Sequence, residues 1–142
     1  MKLHHIGIVV RNIDNSIKYY SAFDKISFIS EKFFDQTQKV NVIFIEYENK
    51  DMPSLELIES VGNNSKVSLF LKKYNGGLHH LCYEVEDLND SIKKLKEHQY
   101  TFLSLPEKAV AFENRRIVFC FGRDHYLIEL LERGNENEEN EK

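Results

Sequence analysis

Four of the six histidines stand as two adjacent pairs, His4-His5 and His79-His80, each opening a similar apolar run, HHIGIVV and HHLCYEV. Along a strand side chains alternate faces, so the two imidazoles of a pair point to opposite sides. His4 is in phase with Ile6, Ile8 and Val10, and His5 with Gly7 and Val9; His79 goes with Leu81, Tyr83 and Val85, and His80 with Cys82 and Glu84. The bulkier face suits a covered core, which assigns His5 and His80 to the opposite face. Glu56 lies between Leu55 and Leu57, and Glu129 between Ile128 and Leu130. A carboxylate so embedded costs roughly several kcal/mol unless it is partnered, and a bound cation is a good partner. Two imidazoles and two carboxylates, His5, Glu56, His80 and Glu129, form an acceptable set for a divalent transition metal with positions left open for water or substrate.

A lone strand histidine is more often a satisfied packing residue than a ligand. What shifts the balance here is an internal repeat. LHHIGIVVRNIDNSIKYY, residues 3–20, aligns without gaps on LHHLCYEVEDLNDSIKKL, residues 78–95; VIFI, residues 42–45, falls on IVFC, residues 117–120; ELIE, residues 56–59, falls on ELLE, residues 129–132. Three matched blocks in one order mean a duplicated unit. A duplication that kept HH only for packing would not also need a Glu at the same point of both final strands. Glu59 and Glu132 match as well, but near strand ends, and are expected to be solvated. His98 and His125 have no counterpart and read as surface residues, and Cys82 as a small packing residue.

The elements that must position these residues follow from periodicity. After the first strand of each unit, Asn12 or Asp87 opens a helix whose apolar positions, Ile13, Ile17 and Tyr20 or Leu88, Ile92 and Leu95, recur at helical spacing and need a sheet to lie on. Three further strands are predicted in each unit, at 26–34, 40–47 and 53–60, and at 101–105, 115–121 and 126–132, so each half is βαβββ. Between them SKVSLFLKKY, from Ser65, reads as a connector helix stopped at Asn75-Gly76-Gly77. The segment 106–114 is less regular, and loops that differ between repeats tend to carry specificity. This organisation is a single domain over 1–132, with module 1 at about 1–62, the connector at about 63–76 and module 2 at about 77–132. Residues 133–142 form an acidic tail that is expected to be disordered.

Composition narrows the classes. A length of 142 residues suits one compact domain, and the net charge of −4 is largely that of the tail GNENEENEK. No predicted element carries a Lys/Arg stripe, which argues against nucleic acid, and no apolar run approaches a membrane span or a signal segment. A cytoplasmic protein is expected. With two cysteines, Cys82 and Cys120, there is no disulfide framework.

With these motifs in place, the chain resembles the vicinal oxygen chelate superfamily, which includes glyoxalase I, methylmalonyl-CoA epimerase, extradiol dioxygenases and bleomycin-type resistance proteins. The resemblance covers residues 1 to about 132 and rests on HHIGIVVRNIDNSIKYY, on LELIES followed by NNSKVSLFLKKYNGGLHHLCYEVEDLNDSI, and on YLIELLE. It implies an α+β fold of two tandem βαβββ modules forming a cupped, partly closed mixed sheet around a metal-binding cleft. The family's ligands are His, Gln or Glu, His and Glu. They fall on His5, Glu56, His80 and Glu129, the residues that phase and repeat had selected. The middle block looks most like methylmalonyl-CoA epimerase. The departures concern substrate: AVAFENRR and GRDHY replace the epimerases' GAHG-like stretch and HPK-like turn, Val42 stands where some epimerases carry a second acid/base Glu, and GRDHYLIEL is partly similar to the corresponding turn of glyoxalase I.

The expected function is that of a divalent-metal-dependent isomerase or lyase. It removes a proton next to a carbonyl while the enolate oxygen meets the metal (Zn, Ni, Co, Mn, Fe or Mg). Glu129 and Glu56 are the expected catalytic carboxylates. Arg115, or its neighbour Arg116, is positioned to hold an anionic group, and Phe44 and Phe119, at matched points of the third strands, are expected to line the substrate's place. The partner is a small molecule, in a homodimer whose sites each draw ligands from one subunit. An Fe(II) dioxygenase would use the same two His and one carboxylate, but a fourth protein ligand argues against it. A non-catalytic binding or resistance protein of the same fold would typically lack part of the ligand set.

Overall fold

The strand phase read from HHIGIVV governs the first of two compact units, residues His4–His80; the second runs from Leu81 onward and takes in Met1–Leu3. The computed structural model describes residues 1–134, so the expected tail disorder lies outside the described residues.

In the first unit β1 (Lys2–Val10) leads into α1 (Ile13–Tyr20), followed by β2 (Ile26–Ile29), β3 (Phe33–Asp35), β4 (Val40–Tyr47), β5 (Ser54–Ser60) and α2 (Ser68–Tyr74). Asn12, in extended backbone, starts α1 by accepting a hydrogen bond from the Asn15 N–H at 2.9 Å. β1 pairs with β5 in parallel, β4 with β5 antiparallel, and β2 and β3 with β4 antiparallel. Ile13, Ile17 and Tyr20 of α1 pack on Ile8, Val10, Ile43, Ile45, Leu55 and Leu57, the bulky face of the sheet. Leu57 is wholly buried there. Leu57→Ala is therefore expected to cost about 2–5 kcal/mol of stability in urea unfolding; a loss under 1 kcal/mol, on the order of a surface substitution, would contradict this placement.

The second unit repeats the plan. After β6 (Gly77–Val85), of which Leu81–Val85 belong here, come α3 (Leu88–Glu97), β7 (Thr101–Phe102), β8 (Glu107–Lys108), a 3-10 turn (Val110–Phe112), β9 (Arg116–Phe121) and β10 (Leu127–Glu132). Asp87 caps α3 through the Asp90 N–H at 2.8 Å. Leu88, Ile92 and Leu95 cover Val85, Val118, Cys120, Ile128 and Leu130. Cys82 and Cys120 are buried and form no disulfide, and burial pushes the Cys120 thiol up to about 11.

Some of these expectations need correction. The single strand at 26–34 is two strands. From Ile29 to Phe33 the edge advances four residues while β4 advances three, from Ile45 to Val42, so the ladder must restart. At the break, the Ser30 N–H donates to the Phe44 carbonyl and the Ser30 hydroxyl accepts from the Phe44 N–H, both at 2.9 Å. The strand at 101–105 stops at Phe102, and the segment after Pro106 is less irregular than expected. Its residues Glu107–Lys108 pair with β9 as Phe33–Asp35 pair with β4. The connector helix starts at Ser68 rather than Ser65, because Ser60, Ser65 and Ser68 join hydroxyls in the turn before it. It ends at Asn75 in the left-handed conformation, as the Asn-Gly-Gly breaker requires.

Candidate functional site

On β1, the face away from α1 carries His5, Gly7 and Val9; on β5 it carries Glu56 and Ile58; on β4 it carries Val42 and Phe44. The register sets Gly7 and Phe44 opposite Glu56, one on either side. β6 brings His80 to the same place. His5 Nε2 lies 3.3 Å from Glu56 Oε2 and 3.2 Å from His80 Nε2, and His80 Nε2 lies 4.0 Å from Glu56 Oε1. The edge of the Phe44 ring meets His5, with centroids 5.5 Å apart. His5, Glu56 and His80 retain only 0%, 7% and 5% of their surface.

This is a donor set aimed at one point. Two neutral imidazoles offer lone pairs, the carboxylate offers negative charge, and burial makes an unbalanced charge expensive. A divalent cation of the borderline class fits these nitrogen and oxygen donors. The backbone also makes room for it. A Cβ on Gly7 would fall 2.1 Å from Cε1, 2.3 Å from Nδ1 and 2.6 Å from Nε2 of His80, so the ring lies where no larger residue can stand. Sequence reasoning passed over Gly7. The available signal was a glycine inside a strand, at the point where the second repeat has Cys82.

In the second unit Glu129 is also buried, at 2% exposure, and faces away from the Ile128 and Leu130 side that α3 covers. Its cross-strand partner is Phe119, just as Phe44 is that of Glu56. The two halves thus hold the same Phe–Glu pair at the same register. Arg115 Nη1 donates to Glu84 at 3.1 Å and to the Glu132 carbonyl at 3.4 Å, and its Nε donates to the Phe112 carbonyl at 3.3 Å, so any substrate anion would share it with Glu84. Arg116 grips both carboxylate oxygens of Glu132 at 2.6 and 2.9 Å, which holds that carboxyl below its usual range. Glu59 accepts from the Ile13 N–H at 2.9 Å. The expectation that Glu59 and Glu132 are solvated is therefore wrong: each strand end runs beside a helix start or an arginine that uses the carboxylate. His98 and His125 are exposed, as expected. Among the described residues no helix is long and apolar enough to cross a membrane.

Comparison with known proteins gives this geometry a context. The family described as glyoxalase/bleomycin resistance protein/dioxygenase superfamily matches residues 4–121. The chain is 28% identical over 135 residues to a mitochondrial methylmalonyl-CoA epimerase of Dictyostelium discoideum, covering 93% of this chain and 78% of that one. It is 30% identical to an ethylmalonyl-CoA/methylmalonyl-CoA epimerase of Cereibacter sphaeroides, covering 91% and 96%. The crystal structure of methylmalonyl-CoA epimerase from Mycobacterium tuberculosis superposes with a TM-score of 0.82 at 22% identity, over 97% of this chain and 91% of that one, and so shares its fold. By the match over residues 4–121 the chain belongs to the glyoxalase/bleomycin resistance protein/dioxygenase superfamily, and its named relatives here are enzymes.

Proposed function

We propose that the protein is a divalent-metal-dependent epimerase that moves a proton at the carbon beside the thioester carbonyl of a 2-substituted malonyl-CoA. The observation that carries this reading is the convergence of His5, Glu56 and His80 within 4.0 Å of one another in a buried place. Glu129 is proposed as the fourth ligand, on the strength of its burial and its repeat of the Glu56 register. His5, Glu56, His80 and Glu129 would hold a divalent cation, which would supply positive charge against the charge growing on the carbonyl oxygen as the proton leaves.

The chain's own groups then divide the remaining work. Val42 and Phe44 put hydrocarbon beside the donors on β4, so the proton falls to a carboxylate of the set. Glu129 is assigned to take it, with Glu56 as the other carboxylate able to accept or return one. Phe44 and Phe119 are proposed to flank the acyl group and exclude water, and Arg115, shared with Glu84, to meet an anionic group of the substrate.

The test is incorporation of deuterium from D2O at the 2-position of methylmalonyl-CoA, read by mass spectrometry. Wild-type protein is expected to exchange it, chelation to stop it, and Glu129→Gln to slow it by about 10²–10⁴-fold, the usual contribution of a positioned proton acceptor. Absence of exchange in the metal-loaded protein, or exchange indifferent to both chelator and Glu129→Gln, would sink the reading. Turnover of a glutathione hemithioacetal instead would move it to the lyase branch of the superfamily.

A further inference from the structure

The mechanism uses one histidine of each pair, yet the neighbour of each is engaged in the same way. His4 Nδ1 lies 2.9 Å from His5 Nδ1, and His79 Nδ1 lies 2.9 Å from His80 Nδ1. Both pairs meet edge to face, with ring centroids 5.2 Å apart and interplanar angles of 78° and 84°. His79 is itself braced by the Phe70 ring of α2, in edge contact at 5.1 Å.

A nitrogen–nitrogen contact of this length is a hydrogen bond only if one nitrogen carries the proton and the other does not. A neutral imidazole has one N–H. If Nε2 of His5 and of His80 is to present a lone pair, each ring must carry its hydrogen on Nδ1 and donate it outward. His4 and His79 are then acceptors at Nδ1, with their own hydrogen on Nε2. The pairing therefore does for each ring what a carboxylate or backbone carbonyl does behind many metal-binding histidines: it fixes the tautomer and the ring plane.

We propose that His4 and His79 are positioning residues that lock His5 and His80 in the tautomer that ligates through Nε2. The inference rests on the metal reading above. It also explains why the duplication keeps two histidines in each half, a fact that a ligand role for one of them leaves unaccounted for. The Nε2 atoms of His5 and His80 stand 3.2 Å apart, with Glu56 Oε2 3.3 Å from the former, so both face the place proposed for the cation. Both can offer lone pairs there only if both outer rings accept.

The experiment is Zn2+ binding to the full chain by competition with a chromophoric chelator, with 15N–1H correlation of the imidazoles in the Zn2+-loaded protein. His4→Phe and His79→Phe are each expected to weaken Zn2+ by about 10–100-fold, the range typical of groups behind a ligand. His79→Gln, whose amide oxygen can still accept, is expected to recover part of the loss. In the wild-type spectrum His5 and His80 should carry their hydrogen on Nδ1, and His4 and His79 on Nε2. If wild-type protein binds Zn2+, His80→Ala does not, and both Phe variants bind as wild type does, the positioning role is wrong and the metal reading stands. If wild-type protein binds no Zn2+, both are overturned. Should the Phe variants fail to fold, the wild-type spectrum decides: hydrogen on Nδ1 of His4 or His79 refutes the inference.

Discussion

His80→Ala is expected to leave a folded protein that does not take up the divalent cation proposed for this site. The ring is almost wholly buried and its Nε2 lies 3.2 Å from that of His5, so truncation removes a donor from the centre of the set. Groups one step behind a ligand already cost about 10–100-fold in affinity, and loss of the ligand itself should exceed that range. The clearest readout is thermal. A cation present at about a hundred times its Kd stabilises the wild-type fold by about 2.7 kcal/mol, and the variant should show no such shift. Retention of the metal-induced shift in His80→Ala would remove this histidine from the site.

Gly7→Ala should disable the same histidine without touching it. A methyl group 2.1 Å from His80 Cε1 cannot be accommodated, so the ring must swing out of the place it shares with His5 and Glu56. Overpacking of this kind costs about 1–3 kcal/mol, and cation binding should fall with the displaced ring. The cause can be isolated by a double-mutant cycle. In the His80→Ala background the clash has no partner, and Gly7→Ala should then be nearly neutral. An equal cost in both backgrounds would mean that the close approach is not what requires glycine.

Strand phase and helix starts were readable from the sequence, because each rests on local chemistry. Alternation along HHIGIVV and HHLCYEV sorted His5 from His4 and His80 from His79, and the side-chain oxygens of Asn12 and Asp87 begin their helices where the pattern placed them. The burial of Glu56 and Glu129 was readable because leucine or isoleucine stands on both sides of each. What stayed hidden depends on partners far apart in sequence. The break at Ser30 arises from counting residues against β4, the use of Glu59 from the position of the Ile13 N–H, and the engagement of Arg115 from Glu84 on another strand. Gly7 was visible as a residue, but its necessity comes from a ring supplied by β6.

The segment between β8 and β9 is fastened at its base. The Ala109 N–H donates to the Arg115 carbonyl, the Asn114 N–H to the Ala109 carbonyl and the Arg115 N–H to the Phe112 carbonyl, all at 3.0 Å, while the Arg115 side chain ties the same stretch to β6 and β10. Residues between those anchors can change in kind or number at small thermodynamic cost, since lengthening a closed loop adds little entropy. One short cassette can therefore be exchanged with the ladder of β9 and β10, and the buried carboxylate it carries, left undisturbed.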